Sequence, residues 1–137
     1  SWSAAPRGAL ALILLLDQFP RNMFRGSARA YATDALALAM AKRMAASTTD
    51  RALPPAPRLF VYLPFEHSEN LADQHESVRL TRAVVAEYPA AAGFLPYAEQ
   101  HLAVIERFGR FPYRNVILGR PSTPAEIDFL RGQGPSV

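Results

Sequence analysis

Apolar residues run unbroken from Ala9 to Leu16 and stop against the polar pair Asp17-Gln18. A helix apolar on every face must touch neighbours all round, so this pattern predicts a central helix. Pro6 sits in its opening turn, where a missing N–H costs nothing, with Ser3 or Ala5 as the cap. Pro20 disfavours helical backbone at Phe19 and sets the expected end of the helix there. Asn22 and Gly26 suit a tight connection. The run is far too short to span a bilayer, which takes about 20 apolar residues. It also lacks a small-residue cleavage site in a polar region, which argues against a signal peptide.

Downstream, the same 3.6-residue logic predicts further helices. Ser27 is the expected N-cap of an alanine-rich second helix reaching about Ala46, with Tyr31, Leu38 and Met44 as its bulk. Ser47 to Pro57 reads as a loop of polar caps and prolines. A third helix is expected over 56–64, with Leu59, Phe60 and Leu63 on one face, followed by the polar run Glu66-His67-Ser68-Glu69-Asn70. The fourth, about 70–88, carries a stripe of Leu71, Gln74, Val78, Thr81, Val85 and Tyr88, which turns Gln74 inward. The fifth, about 94–110, aligns Phe94, Ala98, His101, Ile105 and Phe108. Thr123-Pro124-Ala125-Glu126 is a capping box that opens a short last helix ending near Arg131, before Gly132 and Gly134. No stretch alternates as a half-buried strand would. The expected fold is all-α, five to six helices in antiparallel stacked hairpins without a sheet, forming one domain over 1–137. Phe19-Pro20-Arg21-Asn22-Met23 is echoed by Phe111-Pro112-Tyr113-Arg114-Asn115-Val116, each with a glycine after it. The echo predicts a shared corner in which arginine and asparagine bond exposed carbonyls.

Composition adds limits. Half of the 137 residues are hydrophobic and a fifth are charged, an ordinary globular balance. The absence of cysteine excludes disulfides and thiolate zinc sites. A bacterial cytoplasmic protein is the simplest reading. The net charge is +3 and Lys42 is the only lysine. Arginine suits phosphate and carboxylate recognition, yet the parallel excess of alanine points to GC-rich coding instead.

The motifs LLLDQFPRNMFRGSARAYATDALAL, RLFVYLPFEHSENLADQ and RFGRFPYRNVILGRPSTPAEIDFL resemble the bacterial domain-of-unknown-function family 924. The resemblance covers nearly the whole chain in order. It implies tetratricopeptide-like stacked antiparallel helices and no established activity. Members generally carry an N-terminal portion that would precede Ser1, so the chain is expected to lack it. It departs from the family at Tyr113, where histidine is more frequent, and at His75, where glutamate is common.

Three polar groups are candidates for chemistry. The first is Asp17, Gln18, Arg21, Asn22 and Arg25: the arginines suit an anionic group, with Asp17 orienting one of them. The second is Glu66-His67-Ser68-Glu69 with Asp73 and Gln74, where a glutamate beside a histidine offers proton exchange near neutral pH. His67 and His75 are two turns apart, too far to share an ion on a straight helix. Neither H-E-x-x-H nor H-x-x-E-H occurs, and no metal or cofactor is expected. The third is Arg107, Arg110, Arg114, Asn115 and Arg120, interleaved with Phe108, Phe111 and Tyr113, a pattern that suits phosphate; His101 points inward and reads as a partly buried histidine. Without a recognisable motif, nucleic acid is disfavoured. The same residues would serve equally as a structural salt-bridge network. The favoured reading is a non-catalytic module binding a protein, a peptide or an anionic small molecule, as monomer or homodimer, away from membranes. The runner-up is an enzyme using Glu66 or His67 as acid or base. A cleft holding both His67 and an arginine would favour the enzyme; an exposed apolar groove would favour the module.

Overall fold

The computed structural model describes residues 4–133, so Ser3 and Gly134 lie outside the described residues. The first helical run has three parts: α1 (Pro6–Ile13), a π-helical segment (Leu14–Gln18) and α2 (Phe19–Met23). After a 3-10 turn (Ala28–Tyr31) come α3 (Asp34–Ala46), a second 3-10 turn (Thr49–Ala52), α4 (Pro55–Glu66) and α5 (Leu71–Glu87). A third 3-10 segment (Pro89–Phe94) leads into α6 (Leu95–Phe108); a fourth (Pro112–Arg114) leads into α7 (Asn115–Leu118), and α8 (Pro124–Gln133) ends the described chain. No strand occurs among the described residues, and the fold is all-α. Counting 6–23 as one helix, there are seven α-helices, more than the five to six expected. The sequence reading overlooked α7, a single turn between glycine-bearing loops.

Pro20 does not end the first helix. Proline lacks an N–H and clashes with the carbonyl four residues back, here that of Leu16. The π segment widens the helix just before it, with the Phe19 N–H reaching back to Leu14 O. The freed Leu16 carbonyl accepts a 2.6 Å hydrogen bond from the Thr33 hydroxyl. The helix therefore continues with its orphaned acceptor satisfied from outside.

Ser27 is a cap, but of the short 3-10 turn, where its Oγ accepts from the Arg29 N–H. The expected single second helix breaks at 32–33 and restarts as α3. Pro64 likewise lies inside α4 rather than at its end. The echoed corners differ as well. Phe19-Pro20-Arg21-Asn22 is helical, whereas Phe111-Pro112 follows Gly109 in the left-handed region (φ 73°) and opens a 3-10 turn. Only the closing glycines match, Gly26 (φ 83°) and Gly119 (φ 68°) both turning left-handed. The capping box forms as expected: Glu126 N–H donates to Thr123 Oγ1 and Thr123 N–H to Glu126 Oε1.

α4 packs against α5, and α5 against α6. Short connections make these neighbours antiparallel. α3 lies against α1 and α4. The larger apolar core gathers Ile13, Ala41, Leu59, Val61, Phe65 and Val84 from α1, α3, α4 and α5. Fully burying side chains such as Ile13 and Val61 contributes about 1.5–3 kcal/mol each. A second, smaller core joins Val104, Ile105 and Phe111 with Phe108, Tyr113 and Phe129. No helix of the described residues is long and apolar enough to cross a membrane.

Candidate functional site

The end of α4 and the loop after it meet the π segment. The π turn aims Asp17 inward, leaving it 1% exposed. Its Oδ1 lies 2.7 Å from His67 Nδ1 and 3.2 Å from an Arg21 amine. Oδ2 accepts from Gln18 Nε2 at 2.6 Å. Arg21 forks onto Asp34, the first residue of α3, at 2.7 and 2.9 Å, and also bonds the Asp17 carbonyl.

These contacts fix protonation. Burial alone would raise the Asp17 pKa, but the hydrogen bond and charge of His67, and the charge of Arg21, hold it below the ordinary value. Burial lowers the His67 pKa, partly opposed by Asp17. Near neutral pH this gives an ionised Asp17 accepting Nδ1–H from a neutral His67. The imidazole Nε2 is then the basic atom.

Beside the pair, burial and the Asp17 charge push the Glu66 carboxyl up to about 7. His101 Nδ1 lies 3.8 Å from Glu66 Oε2 and donates to the Tyr97 carbonyl at 2.7 Å. Burial, with the charges of His67, Arg114 and Arg21, brings His101 down to about 4 despite the Tyr97 bond. The Glu66–His101 contact thus joins a half-protonated acid to a neutral ring and is no ion pair near neutral pH. His101 packs edge-on against Phe111.

Arg114 closes the group. It is 6% exposed, donates to the His67 carbonyl at 3.0 Å, and stacks over Tyr31 (4.4 Å) and Phe111 (4.7 Å). Its Nε has no hydrogen-bond partner, and no carboxylate among the described residues reaches salt-bridge distance of it. A cleft of about 200 Å³ is lined by Asp34, Leu38, His67, Ser68, Glu69 and Arg114.

Several other sequence candidates have structural partners instead. Gln74 is fully buried and donates to the carbonyls of Glu66 (2.6 Å) and Ser68 (2.7 Å), closing the C-terminal end of α4. Glu69 receives the Phe111 N–H at 2.6 Å and a forked Arg120. Burial opposes ionisation of Glu69, but these donors and Arg114 outweigh it and hold its pKa low. Asn115 is fully buried, donating to Ser122 and accepting from Arg120. Arg110 turns away to fork onto Glu126. Asn22, on the outer side of the continued helix, and Arg25, in the turn after it, are exposed and stand outside the cluster. Among the described residues no group of histidine and carboxylate side chains could hold a metal ion.

Sequence reasoning passed over Asp34 and Thr33 and read Tyr31 only as bulk on a helix. Asp34 had one readable signal, an acid in the first turn of a helix; its distance from Arg21 in sequence hid the pairing. Tyr31 is pushed up to about 12 by burial and the neighbouring Tyr113, so it stays protonated.

Residues 1–134 match the family described as "Bacterial protein of unknown function (DUF924)". The fold is similar to that of a protein of unknown function from Agrobacterium tumefaciens, with a TM-score of 0.87 and 44% identity, over 96% of this chain and 71% of that one. No curated protein matches.

Proposed function

The chain belongs to the bacterial DUF924 family, and from that premise we propose that its cleft is a small-molecule site in which Arg114 holds an anionic group and His67 exchanges a proton with the bound molecule. One observation carries this reading: a buried guanidinium without a carboxylate partner lines the same cleft as an imidazole oriented by a buried aspartate at 2.7 Å. A purely structural network pairs its charges, as Arg21 does with Asp17 and Asp34. Arg114 instead keeps its charge for a ligand. Asp17 holds the Nδ1–H tautomer and favours the imidazolium formed when Nε2 takes a proton. Glu66, near its own titration point, is the neighbouring acid. The helices that carry these groups are read as a tetratricopeptide-like stack, since α4, α5 and α6 follow one another as packed antiparallel neighbours.

The test is a thermal-shift screen of small carboxylates and phosphates, with turnover measured on every hit. Binding lost in Arg114→Gln supports the anion site. Turnover lost in His67→Asn, which keeps a donor toward Asp17 but removes the ring's Nε2, supports the proton role. Binding without chemistry on any hit would reduce the site to a non-catalytic anion receptor. Peptide docking is a second reading, favoured by the exposed row Leu15, Phe19 and Met23 along the first helical run; a competing apolar peptide would then shift the amides of 15–23 rather than those around His67.

A further inference from the structure

At the other end of α4, a cavity of about 320 Å³ opens between the Thr49–Ala52 turn, α4 and α5. That volume is at the small end of ligand pockets, about 300–1,000 Å³. Arg58 and Tyr62, one turn apart on α4, share the lining with Asp50, Arg51, Arg79 and Glu87, over a floor of alanine, leucine and valine.

Two buried groups here are left incomplete. Asp50 is 3% exposed; its Oδ2 accepts from the Tyr62 hydroxyl at 2.5 Å, but Oδ1 has no partner. Arg58 is 8% exposed; its amines bond Glu87 (2.8 Å) and the Leu53 carbonyl (2.9 Å), but Nε–H has none. An unmet buried acceptor and an unmet buried donor are each costly. Both belong to side chains that line one cavity, each atom itself closed to solvent, and a molecule bearing both a donor and an acceptor would complete them. Charge narrows the choice. Among the lining side chains Arg51, Arg58 and Arg79 face Asp50 and Glu87, while Glu76, outside the lining, pairs with Arg79. Charges of both signs in one lining suit a zwitterion, each end of which meets an opposite charge.

We propose that this cavity binds a small α-amino acid, its ammonium donating to Asp50 Oδ1 and its carboxylate accepting from Arg58 Nε–H. Arg51 and Arg79 stand at the rim beside the carboxylate, and the side chain lies on Leu80, Ala83 and Val84. Neither unmet atom is open to solvent, so uptake requires a lining side chain to swing aside. The site is independent of the Arg114–His67 cleft and stands or falls without it.

The experiment is a thermal-shift and calorimetric titration of the intact chain with the standard L-α-amino acids, with acetate and methylammonium as the two half-molecules. A saturable response to one class of amino acid is expected, with neither half-molecule reproducing it. Affinity should fall at least tenfold in Asp50→Asn. Ala83→Phe fills the cavity from an exposed position and leaves every polar group in the chain, so it should abolish binding even if the first variant folds poorly. A response to no amino acid at millimolar concentration overturns the proposal. So does an equal response to acetate alone, or binding that survives Ala83→Phe. Finding only an ordered water bridging Asp50 and Arg58 in a structure grown with the amino acids present also overturns it.

Discussion

Glu66 and His101 lie side by side with opposite displacements. The Glu66 carboxyl, at about 7, stands above its ordinary 4.5. Its contribution to stability is complete below 4.5 and is lost as pH rises through 7. The His101 ring, at about 4, stands below its ordinary 6.5, so its contribution is present above 6.5 and is lost as pH falls through 4. Between those limits the two slopes oppose one another. Glu66→Gln removes only the first. The variant is therefore expected to gain on the parent as pH rises from 4.5 to 7, by an amount on the order of 2 kcal/mol. Thermal denaturation of both proteins across that range checks it; a constant difference in Tm would refute it. Arg21→Ala belongs to the same scale. It strips Asp34 of its fork and leaves Asp17, 1% exposed, short of a counter-charge. Urea unfolding should register a loss of about 3 kcal/mol, the range for removing one partner of a buried pair.

At the scale of elements, the helical run through Pro20 depends on a residue from the next turn. Thr33→Val removes the hydroxyl that meets the Leu16 carbonyl and is expected to cost about 1–2 kcal/mol. In a Pro20→Ala background the restored backbone N–H can serve the same carbonyl, so the Thr33 substitution should cost much less. A double-mutant cycle in urea measures that coupling; additivity would show that the two are unrelated. This joint also marks where the sequence ceased to be legible. Apolar periodicity located α4, α5 and α6 because their faces are laid down locally. The fate of Pro20 turned on Thr33, thirteen residues away and on another element, and no local rule contains it. The inward placement of Gln74 could be read from its spacing, but its partners, the last carbonyls of α4, could not.

For the molecule as a whole, two apolar cores meet across a polar layer. Glu69 fastens the segment after α6 to the α4–α5 hairpin through Arg120 and the Phe111 N–H. Glu69→Ala is expected to speed amide hydrogen exchange over 111–133 while α4 and α5 keep their protection. Exchange accelerating evenly along the chain would mean that the cores are not separable. The sequence separated the polar residues into three stretches and suggested that they converge, but offered no means of sorting them. Arg110 and Arg114 are alike on paper. One is matched by Glu126 and the other by no acid among the described residues, and that difference follows from packing alone.

The π turn can also be regarded as a phase slip. One extra residue in a turn rotates everything beyond it by about 100° relative to a regular α-helix. That rotation lets a single rod show Ile13 to the apolar core and, farther along, Asp17 and Arg21 to the polar layer. Deleting Leu15 would therefore be more disruptive than replacing it, although its side chain is largely exposed. The deletion restores regular winding, leaves every partner of His67 in the chain, and swings Asp17 out of register with it.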